Sequence, residues 1–110
     1  MDESQQVSIA EAMDRLWAQY LPQITERVAV LESAGAAHEA GLLTPELCEQ
    51  AMAAAHKLAG VLGMFGLPQG TDLAREMEAL YAGGAAALAG AGNRPKEVGA
   101  LLRAMLATRK

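Results

Sequence analysis

Apolar residues recur at three- and four-residue spacing along almost the whole chain, and nowhere does a period-two alternation last long enough to make a strand. A chain patterned in this way buries its apolar side chains by packing helix on helix. With 110 residues it forms one ordinary domain, residues 1–110, able to bury a single core without staples. The expected fold is all-α: an antiparallel four-helix bundle with an additional short N-terminal helix covering one end.

Local signals divide the pattern. A first helix opens at "SIAE", where Ser8 and Glu11 are spaced as a capping box, and continues through Met13, Leu16, Trp17 and Tyr20. Leu21-Pro22 ends or kinks it. A second helix runs from about Pro22 to Ala40, with Ile24, Val28, Leu31 and Gly35 on one stripe, and Gly41 closes it. The third begins at "TPEL", with Thr44 as N-cap and Pro45 at the first helical position. Its stripe is Leu47, Ala51, Ala54 or Ala55, Leu58, Leu62 and Phe65. After "GLPQG" a fourth starts near Thr71 or Asp72, turns Leu73, Met77 and Leu80 inward, and decays through the glycine-rich residues 83–92. "NRP" resets the chain, and Val98, Leu101, Leu102, Met105 and Leu106 line a last helix.

Composition excludes several classes of function. Residues 1–50 hold nine acids against Arg15 and Arg27, and residues 51–110 hold four acids against seven bases, so no basic stripe exists for nucleic acid. Four aromatics, Trp17, Tyr20, Phe65 and Tyr81, give no stacking platform for single strands. Apolar runs are broken by charge or glycine short of a membrane span, and "MDESQQ" lacks the basic and apolar regions of a signal peptide. Cys48 stands alone, which rules out an internal disulfide and makes a poor zinc ligand. The expectation is a chain of the reducing cytoplasm, without membrane or nucleic-acid partners.

The stretch "AAAHKLAGVLGMFGL", residues 53–67, departs from this plain pattern. It reads as helix, yet carries Gly60, Gly63 and Gly66, each about 0.5–1 kcal/mol less favourable than alanine in a helix interior. Gly66 precedes the "LP" turn and ends the helix. At about 100° per residue, His56 lies roughly 200° from Leu58 and so points away from the core stripe. Its neighbours on that outer face are Met52, Ala53, Ala59, Gly60 and Gly63, a nearly flat and uncharged floor. Such a floor serves the approach of another molecule; small residues also serve tight helix packing.

With these residues in view, "AHKLAGVLGMFGLPQGTDLAREMEAL" resembles the histidine phosphotransfer domain of two-component signalling. That family's signature is a histidine followed by leucine two on, glycine four on, an apolar residue nine on and glycine ten on, here His56, Leu58, Gly60, Phe65 and Gly66. The family commonly has lysine three after the histidine and small hydroxyl residues five and six after it, where this chain has Ala59, Val61 and Leu62. Lys57, about 100° round the helix from His56, is the nearest cation on the same helix able to snorkel toward it.

An antiparallel hairpin pairs residues equidistant from its turn. With the turn centred on Leu67, His56 lies eleven residues before it and Glu78 eleven after, so the two share one height. A carboxylate there fixes the tautomer of the imidazole and leaves the other ring nitrogen free to attack. In the resembled family an acid or amide commonly occupies this place; otherwise Glu78 is a surface carboxylate paired with Arg75 or with nothing. Arg75, one turn earlier on the same face, is the nearest cation from that helix.

The resemblance implies that His56 carries a phosphoryl group on Nε2 and exchanges it with an aspartate of a response-regulator receiver domain, its partners being a receiver domain, a histidine kinase or both. It implies orientation of the imidazole by Glu78, phosphoryl stabilisation by Lys57 or Arg75, and docking across Met52, Ala53, Lys57, Gly60, Gly63 and Met64. No cofactor or metal is expected in this chain, because the partner receiver brings magnesium, and "GVLGMFG" lacks the lysine and hydroxyl of a phosphate-cradling loop. The expected state is a monomer without a kinase site. The rival expectation is a non-phosphorylated helical adaptor or dimerisation module of the same fold. A metal or haem site built from His38, His56 and Cys48 has no paired inward ligands to complete it.

Overall fold

The computed structural model describes residues 3–109, with side-chain detail from Ser8 onward. Five helices follow one another: α1 (Glu3–Glu39), α2 (Pro45–Met64), α3 (Pro68–Ala82), α4 (Gly84–Ala91) and α5 (Arg94–Thr108). Helices α1, α2, α3 and α5 pack in a closed ring in which each touches the next, and α4 packs on α3. The core runs down the middle of this ring, through Ile24, Val28 and Leu31 of α1, Leu58 and Leu62 of α2, Met77 of α3, and Val98 and Leu102 of α5. The all-α four-helix bundle stands, but the extra short helix is α4, between the third and fourth members of the ring.

The expected break at Leu21-Pro22 is absent. Helix α1 runs unbroken through Pro22, so the N-terminal segment is the first half of one 37-residue helix. An interior proline loses one hydrogen bond and clashes with the carbonyl four residues back, at about 3 kcal/mol. Packing on both sides offsets this. Downstream, Ile24 and Val28 are fully buried. Upstream, Trp17 sets its ring edge-on to Phe65 at 5.2 Å, and the Arg109 guanidinium lies 4.6 Å from the Trp17 ring centre. Pro22 itself is exposed, so its ring faces water rather than a neighbouring helix. Since α1 begins at Glu3, Ser8 and Glu11 lie inside it and form no cap.

The helix ends follow local chemistry. The Thr44 hydroxyl accepts from the Leu47 amide at 3.1 Å, with Pro45 at the first position of α2, as the sequence predicts. Helices α1 and α2 close in the same way. Gly41 and Gly66 take φ of +73° and +74°. Their amides donate to the His38 and Gly63 carbonyls, and the amides of Leu42 and Leu67 donate to those of Ala37 and Leu62. This is the Schellman arrangement, which needs the left-handed conformation that glycine adopts without strain. His38 thus serves through its carbonyl at the end of α1.

Helix α3 starts at Pro68, three residues before Thr71, because proline suits the first helical position. Residues 83–92 do not decay into coil: Gly84 and Gly92, both at positive φ, bracket the separate helix α4. Leu73 and Leu80 are half-buried at the rim, and α3 turns Gly70, Ala74, Met77 and Tyr81 inward instead. Leu16 and Leu101 are exposed rather than core. Gly35 has a packing role, since a Cβ there would meet the Lys96 backbone nitrogen at 3.0 Å; its bareness lets α1 and α5 approach.

Candidate functional site

His56 sits midway along the outward face of α2. Its stripe partners Ala51, Ala55, Leu58 and Leu62 are fully buried, which forces the imidazole, on the opposite side, into solvent. The side chain is 74% exposed. Its Nδ1 lies 2.7 Å from Oε2 of Glu78, which α3 carries at the same height across the hairpin. A carboxylate only accepts, so Nδ1 bears the proton and the Nε2 lone pair faces solvent. The Glu78 side chain is about one-third exposed, so the hairpin covers most of it while the ring it meets stays in solvent.

The other predicted residues are distributed unevenly. Lys57 lies on the opposite flank of α2 from Glu78, in a shallow hollow against α1 with Gln23, Glu26, Arg27 and Val30. Arg75 is exposed on α3, one turn from Glu78, and forms no ion pair with it among the described residues. Ala53, Gly60 and Met64 are exposed and Met52 is half-buried. A Cβ on Gly60 would meet nothing within 4 Å among the described residues, so that stretch of floor is open. Gly63 is different: a Cβ there would lie 3.2 Å from the Thr71 hydroxyl, so its bareness accommodates α3.

Sequence reasoning passed over Thr71, which reaches α2 close to His56. Its hydroxyl donates to the Ala59 carbonyl at 3.0 Å, one turn along α2 from His56. The hairpin arithmetic that pairs His56 with Glu78 also pairs Gly63 with Thr71, and that was the available signal. Beyond the site, Cys48 donates to the Tyr81 carbonyl at 3.3 Å. Among the described residues no cluster of three or more His, Cys, Asp or Glu side chains could hold a metal. No helix among the described residues is long and apolar enough to cross a membrane.

The family model of the Hpt domain matches residues 15–109, nearly the whole described chain. The chain belongs to the Hpt domain family. Hpt domains are phosphotransfer modules of two-component signalling without a kinase site of their own, and receiver and kinase domains are their partners in phosphorelays. This Hpt domain is also similar to Protein RcaC of Microchaete diplosiphon, at 36% identity over 76 residues. The matched stretch is 69% of this chain and 12% of that relative, so the Hpt domain spans a small part of the protein it matches. No solved structure matches the chain.

Proposed function

We propose that this Hpt domain relays a phosphoryl group through His56 Nε2, exchanging it with an aspartate of a receiver domain. The observation that carries the reading is the 2.7 Å contact between His56 Nδ1 and Glu78 on an otherwise solvent-facing ring. In the step toward histidine, the Nε2 lone pair forms a bond to phosphorus as the bond from phosphorus to the aspartyl oxygen breaks, and the aspartate leaves as a carboxylate. The ring keeps its Nδ1 proton and gains positive charge, which the Glu78 carboxylate offsets. The reverse step returns the electron pair to Nε2.

Magnesium belongs to the receiver's acidic pocket in this reading, and the Hpt domain contributes no cofactor or nucleotide site. With Ala59 where a lysine is common, Arg75 and Lys57 approach the phosphoryl group from opposite flanks of α2. The receiver docks over Met52, Ala53, Gly60 and Met64, where the open floor at Gly60 admits close contact, and the domain works in the cytoplasm as a monomer. Exposure to phosphoramidate, a small donor that needs no kinase, tests the relay site. Intact mass should show an acid-labile phosphoryl adduct on wild type and none on His56→Gln. An adduct that persists in His56→Gln would overturn the assignment.

A further inference from the structure

The pair between His56 and Glu78 is largely exposed, and exposed ion pairs contribute too little to fix their own geometry. A slip of one residue along a helix is about 1.5 Å, enough to break a short hydrogen bond. Something firmer must set the register of α2 against α3. Two turns before Glu78 on α3, the Thr71 hydroxyl spans the interface to the carbonyl of Ala59, one turn after His56 on α2, at 3.0 Å and half-buried. It fits because Gly63 lacks a Cβ, which would stand only 3.2 Å from that hydroxyl. Gly70 beside it is similarly tight: a Cβ there would come within 2.8 Å of Leu62. The two cross-helix pairs, Thr71 with Gly63 and Glu78 with His56, are both symmetric about Leu67.

We propose that Thr71 is a positioning residue, whose hydroxyl, seated on the Ala59 carbonyl over Gly63, fixes the register at which Glu78 reaches His56 Nδ1. Ala59 keeps its place in the α2 backbone ladder, so losing the hydroxyl slackens the α2–α3 alignment without unravelling the helix. Valine keeps the β-branched shape of threonine and removes only the hydrogen bond; serine keeps the hydroxyl. The role in transfer rests on the relay reading, whereas the effect on the imidazole does not.

The test reads the His56 ring by long-range 1H–15N spectra at a pH where it is neutral, alongside the rate of phosphoryl gain from phosphoramidate. Thr71→Val should lower the fraction of ring protonated at Nδ1 and slow phosphoryl gain about three- to tenfold, the range set by one lost hydrogen bond. Thr71→Ser should restore both, and in a Glu78→Ala background Thr71→Val should slow the reaction no further. Gly63→Ala, which crowds the hydroxyl from its seat, should reproduce the valine result and stands in if that variant fails to fold. A folded Thr71→Val with an unchanged tautomer, or equal slowing with Glu78 absent, overturns the proposal. A shifted tautomer in a protein that never takes phosphoryl leaves the positioning role intact and removes the relay reading instead.

Discussion

At the scale of single residues, the proposed relay turns on which imidazole nitrogen keeps its proton. Glu78→Ala should slow phosphoryl gain about tenfold or more, the worth of a hydrogen bond to a charged group, while the melting temperature stays near wild type because the pair is exposed. Equal rates in the variant and wild type would return Glu78 to the status of a surface carboxylate. Gly60→Arg should fold yet fail to exchange phosphoryl with a receiver, since no atom of the described residues lies within 4 Å of a Cβ there. Normal exchange would show that the open floor is not a docking surface. Tyr81 offers a separate check, because burial, helped by the nearby Cys48, pushes its phenol up to about 12 from 10.0. As the folded value is the higher one, its contribution to stability is complete below pH 10 and is lost as pH rises toward 12. An absorbance titration should therefore find one tyrosine ionising well above the ordinary range, with alkaline unfolding following it.

At the scale of helices, the sequence was legible wherever one side chain or one backbone conformation decided the outcome. Thr44, Pro45, Gly41 and Gly66 place the ends of α1 and α2, and the 3.6-residue period places Leu58, Leu62 and Phe65 inward and His56 outward. The height of Glu78 followed from counting along a hairpin. Pro22 was misread because its local penalty is offset by contacts with Phe65 and Arg109, far away in sequence. The packing use of Gly63 was not legible, because its neighbour Thr71 is invisible on a single helical wheel. Leu101 was misread because the last helix buries Gly99 against Glu32, which turns the stripe. Pro22→Ala should raise stability by up to about 3 kcal/mol, seen as a higher denaturant midpoint with unchanged slope. Gly35→Ala should do the opposite, by about 1–3 kcal/mol, since the added methyl presses on the Lys96 and Pro95 backbone rather than on a flexible side chain.

At the scale of the whole molecule, the bundle holds the His56 ring, the proposed relay site, at a fixed place on an exposed face. The molecule measures 54 × 20 × 20 Å, and the long axis is that of α1, at about 1.5 Å per residue. Trp17, Phe65 and Arg109 lock one end, while α4 packs beside α3 toward the other. Between the helices, Arg94 of α5 grips Glu76 of α3 through two hydrogen bonds at 2.6 and 2.9 Å, and this holds the Glu76 carboxyl below the usual carboxylate range. Rigid scaffolding of this kind is what the proposed relay needs to hold its geometry within the tolerance that transfer demands. The most direct measurement takes the phosphoramidate-treated protein and reads the His56 ring by long-range 1H–15N and 31P spectra. The account predicts phosphorus on Nε2 with the proton retained on Nδ1 beside Glu78. Phosphorus on Nδ1, or an unmodified His56 in a folded protein that has gained phosphoryl elsewhere, would contradict it.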